Sequence, residues 1–153
     1  DIGQWASQAV VMTRDGSLLT RTADELRFSY RQSSLDELVI LSGEFTLDQD
    51  DPQEVVKRMQ TSWIGKKAGQ PTGQQGTGCV FKDPGGVTAA SLIDQSGLKG
   101  HSVGGARMSE EHPNFILVQE KATSQDVLDV IDVTRNAVQE QTGLELELQI
   151  EIW

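Results

Sequence analysis

Three kinds of side chain in this sequence are placed where they could do chemistry. Cys79, the one cysteine, follows Gly76-Thr77-Gly78 and precedes Val80-Phe81-Lys82-Asp83-Pro84, a glycine-flanked turn that lets a side chain face a ligand. A thiol, with a reference pKa of about 8.5, is a far stronger acid than an aliphatic hydroxyl and can donate a proton. Arg31 and Lys99 are cations, and the arginine fork in particular is planar, permanently charged and suited to a carboxylate. Near the end, Glu145, Glu147, Gln149 and Glu151 recur every second residue, which places them on one face of an extended segment. Gln149 is the amide among carboxylates; it can orient a water or a substrate but cannot take up and release a proton.

Taken singly, each has an ordinary reading. Cys79 alone reads as a small buried hydrophobe, Arg31 as a surface arginine and Lys99 as a solvated loop lysine. Gly104-Gly105 reads as a turn or bulge, because no strand, loop and helix with a downstream lysine surrounds it. His101 and His112 have no cysteine or second histidine at ligand spacing, which argues against a metal site. Trp63 reads as a core residue, and Trp5 and Trp153 as exposed or packed against another domain.

The elements that must hold these residues are marked by periodicity and punctuation. Ala9-Val10-Val11-Met12 followed by Arg14-Asp15-Gly16-Ser17 predicts a strand and a hairpin turn. Thr22 and Glu25 predict a capped single helical turn, and Leu38–Leu41 with Glu44–Leu47 one long strand. Asp50-Asp51-Pro52 opens a helix with Val55, Val56, Met59 and Trp63 on one face, running to about Lys67. The stretch from Gly69 to Gly78 reads as a loop and marks the best internal boundary. Behind it, residues 88–95 predict a short helix ended by Gly97, then strands near Ala106–Met108 and Phe115–Val118. Thr123 caps a helix with Val127, Val130, Ile131, Thr134 and Val138 in a 3.6-residue pattern, stopped by Gly143. The alternation of Leu144, Leu146, Leu148, Ile150 and Ile152 predicts a half-buried strand to Trp153.

Composition bounds the rest. The 153 residues, 37% of them hydrophobic, suffice for one real core. A net charge of −10 repels nucleic acid phosphates and anionic membranes. No apolar run approaches the roughly 18 residues of a membrane span, and no cleavable leader opens the chain. One cysteine excludes an internal disulfide, and a cytoplasmic protein is the simplest expectation.

Phe28-Ser29-Tyr30-Arg31-Gln32-Ser33, then Gly78-Cys79-Val80-Phe81-Lys82-Asp83-Pro84, then Leu92-Ile93-Asp94-Gln95-Ser96-Gly97-Leu98-Lys99-Gly100 with Val103-Gly104-Gly105-Ala106, resemble in order and separation one family. It is the UDP-N-acetylenolpyruvoylglucosamine reductase (MurB) family, in its type II branch, since the short path from Arg31 to Leu38 lacks the type I insertion. The resemblance covers nearly the whole chain and implies an α+β fold: residues 1–48 finishing the sheet of an FAD-binding domain, 49–75 a linking helix and loop, and 76–153 a compact substrate-binding domain. It also implies a flavoenzyme in which NADPH reduces FAD and the flavin hydride adds to the enolpyruvyl group of UDP-N-acetylglucosamine enolpyruvate. The product is UDP-N-acetylmuramate, for peptidoglycan. The family's glycine-rich pyrophosphate loops lie upstream of the matched segments, so FAD is expected to be held mostly by a segment outside this sequence. This chain alone is then expected to be inactive.

Residue by residue, the resemblance gives Arg31 the substrate carboxylate and puts Cys79 where the family has a proton-donating serine. Gln149 stands at the family's catalytic glutamate, although a shift of register would bring in Glu147 or Glu151. Lys99 falls where a lysine approaches the nucleotide phosphates, His112 and Tyr30 at substrate contacts, and Asp83 at the usual asparagine, with Lys82 beside it to offset the charge. Because Cys79, Asp83 and Gln149 all depart from the family pattern, a second reading stays open, a catalytically impaired homologue that binds a UDP-sugar as a regulatory module. Open strand edges left by a half-sheet would also let a second copy of the chain pair.

Overall fold

The computed structural model describes residues 2–152, and the chain divides into two compact units, Asp1–Val55 and Val56–Trp153. In the first unit a 3₁₀ turn, Ile2–Trp5, leads into strand β1 (Ala6–Met12), which turns back as β2 (Leu18–Thr22). The turn is the expected one: Gly16 takes φ +84, its N–H donates to Thr13 C=O at 3.0 Å, and Thr13 N–H donates to Ser17 C=O at 2.9 Å. Asp15 accepts from the Thr13 and Ser17 hydroxyls, which hold its carboxyl below the usual range. After β2, residues 23–25 turn; Thr22 N–H and hydroxyl donate to the Glu25 carboxylate at 3.0 and 3.2 Å, as the Thr22–Glu25 spacing predicts. A two-stranded hairpin, β3 (Phe28–Ser29) and β4 (Gln32–Ser33), follows, then β5 (Val39–Phe45). The sheet order is β2-β1-β5, all antiparallel. Among the described residues of this unit only Ala9 and Val11 of β1 are buried, and all seven residues of β5 are exposed.

Helix α1 (Pro52–Gly69) starts as the sequence requires, with Asp51 Oδ1 accepting from Gln53 N–H at 2.8 Å and proline at the first helical position. Trp63 does not enter a core. It is 62% exposed, and Lys67 Nζ lies 5.0 Å above its ring. The helix buries none of its residues, so the apolar pattern through Val56, Met59 and Trp63 has no packing partner among the described residues of its own unit.

The second unit is a four-stranded antiparallel sheet, order β6-β9-β8-β7, with two helices. Its strands are β6 (Gly76–Cys79), β7 (Ser102–Val103), β8 (Ala106–Met108) and β9 (Phe115–Val118); its further helices are α2 (Ala89–Gln95) and α3 (Ser124–Thr142). The core gathers Val80, Phe81, Leu92, Ile93, Met108, Ile116, Val130, Ile131, Val138 and Leu146, all 4% exposed or less. Helices packed on an antiparallel sheet make the class α+β.

Both helices begin where the short polar residues stand. The Thr88 hydroxyl accepts from Ser91 N–H, and Thr123 makes a full capping box with Asp126. The α3 face is the predicted one, with Val130, Ile131, Thr134 and Val138 buried, and Gly143 ends it at φ +73. The Asp126 carboxylate accepts from Thr123 N–H and from Gly105 N–H, each at 3.0 Å, which tethers the β7–β8 turn to the start of α3. Those two donors hold its carboxyl below the usual range.

Two expectations are corrected here. The loop from Gly69 to Gly78 is shorter, because Gly76–Gly78 already belong to β6. Glycine is needed there for close approach: a Cβ on Gly76 would stand 2.7 Å from the Ile116 carbonyl oxygen. The tail is not a regular strand either. It forms one isolated bridge, Leu148 to Phe81, with Lys82 N–H donating to Glu147 C=O and Gln149 N–H to Val80 C=O, both at 2.8 Å. The alternation did predict burial, since Leu146 is fully buried and Leu148 and Ile150 pack against the core. Trp153 lies outside the described residues.

Candidate functional site

The thiol strand is built by local irregularity. β6 pairs with β9 at Gly76–Leu117 and Cys79–Phe115 with a register shift between, and the extra residue is absorbed by Gly78 at φ +73. At the shift the Thr77 hydroxyl stands in for a ladder acceptor, taking Ile116 N–H at 3.2 Å. Cys79 comes out of this bulge partly buried and not in a disulfide. The chain then continues into Val80 and Phe81, both at the bottom of the core.

The tail closes on the same stretch. Its backbone bonds to Val80 and Lys82 set Gln149 beside Val80 and Glu147 beside Lys82. The Lys82 ammonium, on a side chain 15% exposed, meets the Glu147 carboxylate directly. Three sequence candidates, Cys79, Lys82 and Gln149, are thus brought onto two paired segments, and Glu147 is engaged with the lysine.

The other candidates are placed elsewhere. Asp83 Oδ1 accepts from Ala89 N–H at 2.8 Å, so its carboxylate serves the first turn of α2. Lys99 Nζ stands 3.8 Å from Asp94 Oδ2, both side chains well exposed. His112 Nδ1 lies 3.4 Å from Asn114 N–H, and its ring meets Phe115 edge-on with centroids 4.7 Å apart. Tyr30 and Arg31 belong to the first unit, at the tip of the β3–β4 hairpin. Arg31 has φ +57, left-handed backbone that a non-glycine residue adopts at a cost, and its guanidinium lies 5.9 Å from the Tyr30 ring centroid. In the same unit Arg21 donates to Glu37 from Nε at 2.7 Å and meets Glu25 at 3.3 Å. Hydrogen bonding and charge from Glu37 raise the Arg21 pKa, and the bond from Arg21 keeps the Glu37 carboxyl low.

Sequence reasoning missed Asn114 and Thr77, whose side chains replace backbone partners around the thiol strand. The one signal was Pro113, which cannot continue a ladder and so calls for a side chain to do it.

The glycine turn at Gly104-Gly105 gives no cradle for a flavin pyrophosphate. A Cβ on Gly104 would meet the Asp126 carboxylate at 2.3 Å and one on Gly105 the Ala122 backbone at 2.6 Å, and Gly105 N–H is already taken by Asp126. An anion there would face a carboxylate. The Gly104-Gly105 turn therefore does not fit a flavin pyrophosphate.

What these features define is an α+β domain carrying a thiol on a bulged strand, completed by a C-terminal tail. Residues 70–153 match the family described as UDP-N-acetylenolpyruvoylglucosamine reductase, C-terminal domain. Among curated relatives, a UDP-N-acetylenolpyruvoylglucosamine reductase of Bacillus licheniformis is 35% identical over 99% of this chain and 84% of its own length. The Bacillus pumilus reductase is 35% identical over 99% of this chain and 51% of its own length, and the Moorella thermoacetica reductase 37% identical over 94% and 48%. The crystal structure of the Thermus caldophilus reductase (MurB) superposes with a TM-score of 0.84 at 35% identity, covering 99% of this chain and 54% of that one. The chain belongs to the UDP-N-acetylenolpyruvoylglucosamine reductase family. It spans about half the length of most of the curated relatives it matches.

Proposed function

We propose that this chain supplies the substrate-side half of an oxidoreductase that converts UDP-N-acetylglucosamine enolpyruvate to UDP-N-acetylmuramate in peptidoglycan synthesis. FAD would be held mostly by the rest of the family's length, with NADPH as co-substrate and the cytoplasm as its compartment. Residues 1–48 would finish the flavin-domain sheet, 49–75 would link, and 76–153 would receive the UDP-sugar. The observation that supports this reading is the pairing of the Val80–Lys82 stretch with residues 147–149, which sets Cys79 and Gln149 on adjacent segments.

In this reading Arg31 holds the substrate carboxylate, where charge grows as the enol or enolate forms, with a planar pair of donors. Cys79 gives its proton to the substrate carbon. Gln149 orients a water or the substrate by hydrogen bonds and does not itself carry a proton. Lys82 and Lys99 face the diphosphate, and the Glu147 carboxylate on Lys82 must yield for that to happen. Its side chain is 70% exposed, so yielding costs little.

An anaerobic single turnover tests the reading: the flavin-loaded protein is reduced with NADPH, UDP-N-acetylglucosamine enolpyruvate is added, and oxidised flavin absorbance is followed. Rapid reoxidation is expected. A flavin that stays reduced while calorimetry still registers the UDP-sugar would replace the reductase with a UDP-sugar-binding regulatory module, the reading that Cys79, Asp83 and Gln149 favour by departing from the family pattern.

A further inference from the structure

The peptide next to Cys79 is held by a residue with no part in the chemistry above. β6 and β9 pair only as far as Cys79 opposite Phe115. One residue further, Val80 N–H still reaches the Asn114 carbonyl at 2.9 Å. Beyond that Pro113 has no N–H, so the neighbouring strand offers no backbone donor for Phe81 C=O. For Phe81 the Asn114 side chain takes over: Oδ1 accepts from Phe81 N–H at 2.9 Å and Nδ2 donates to Phe81 C=O at 2.8 Å. A side-chain amide presents a donor and an acceptor much as a peptide group does, so one residue acts as a missing length of strand. Asn114 is 3% exposed, and water does not compete for these bonds.

On the opposite edge the same peptides are taken by the tail, Val80 C=O by Gln149 N–H and Lys82 N–H by Glu147 C=O. Val80–Phe81 is therefore gripped from both sides, and Cys79 is the residue immediately before the grip. On its other side lies Gly78, at φ +73 in the bulge, a backbone angle that glycine adopts without strain. The thiol stands between a bulge and a clamp, and the clamp helps to fix where it points.

Resting on the reading of Cys79 as proton donor, we infer that Asn114 is a positioning residue for this reaction: it fixes the Cys79 thiol through the Phe81 peptide without touching substrate. A residue that served only the fold would lower stability when lost and leave each folded molecule's rate alone. A positioning residue lowers kcat at nearly constant KM, because a misplacement near 1 Å can cost about 10²-fold.

The experiment compares Asn114→Ala and Asn114→Asp with the parent in the flavin-containing protein, at a temperature where melting shows each variant folded. For Asn114→Ala, kcat falls about 10- to 100-fold, KM moves less than about 3-fold, and alkylation of Cys79 by iodoacetamide speeds up by about 3-fold or more. Asn114→Asp still accepts from Phe81 N–H but donates to Phe81 C=O only when protonated. Its kcat and alkylation rate therefore return toward the parent's as pH is lowered. A folded Asn114→Ala protein with kcat and alkylation rate both within about 2-fold of the parent overturns the inference. If Asn114→Ala does not fold, an Asn114→Asp protein whose alkylation rate follows the parent's at every pH overturns it equally. Turnover that survives in Cys79→Ala refutes the proton-donor reading instead, while altered alkylation in the Asn114 variants would still support the hold on the thiol.

Discussion

Leu146→Ala tests whether the tail is part of the core or only lies upon it. Leu146 is fully buried, the one residue of positions 144–152 that is, in a cluster with Phe81, Ile93 and Val138. Truncating a leucine in such a place removes its transfer free energy and leaves a void that neighbours only partly fill, together about 3 kcal/mol. In a unit of about a hundred residues each kcal/mol moves the melting midpoint by roughly 4–8 °C, so a fall of roughly 12–24 °C is expected. Urea unfolding followed by far-UV circular dichroism measures the loss. Hydrogen exchange at the Gln149 amide reports the tail by itself, since its only backbone partner given by the fold is Val80 C=O. A loss under about 1 kcal/mol, with Gln149 exchange unchanged, would refute the claim that Leu146 anchors the segment carrying Gln149.

Thr123→Ala removes the acceptor of the α3 capping box and should cost about 1 kcal/mol by urea unfolding. Asp126 adds a pH dependence: its folded-state carboxyl is depressed, so its contribution is present above the unfolded carboxyl pKa and is lost as pH falls through the folded value. Urea midpoints between about pH 5 and pH 2 should therefore fall less steeply for Asp126→Asn than for the parent. Cys79→Ser with Gln149→Glu should change the rate of substrate turnover while UDP-sugar binding by calorimetry persists; loss of all binding would count against both proposed roles. Ile40→Lys on the fully exposed β5 should shift sedimentation toward monomer if copies of the chain pair along that edge.

What was legible in the sequence was whatever local chemistry decides. Thr123 and Gly143 bracket α3 because a hydroxyl can accept the first N–H groups and glycine can turn left-handed at the end. Asp51-Pro52 opens α1 and Gly16 closes the first hairpin for the same kind of reason. The tail shows the limit of periodicity. Its alternation placed Leu146 in the core correctly, yet a ladder needs a partner, and Phe81 is followed three residues on by Pro84, so only one bridge forms. Glycines misled at Gly76, where they signal a turn but serve close backbone approach. Trp63 misled because a helical apolar pattern says that a face wants cover, not that cover is present. Among the candidates, Cys79 and Gln149 stood out by type, while Asn114 was signalled only by Pro113 before it: its role depends on where β9 begins relative to β6, and Phe81 and Asn114 lie 33 residues apart.

The contact between Lys82 and Glu147 joins residues 65 apart in sequence. Closing so long a loop carries an entropic cost that must be met before the contact can return anything, so this pairing is expected to form late in folding, after β6 to β9 and α3 have gathered. The thiol strand gains its second neighbour only once residues 146–149 have been made and docked. Assembly of the site would then be the last event in the history of each molecule, and a chain stalled before it would be compact, helical and without the site.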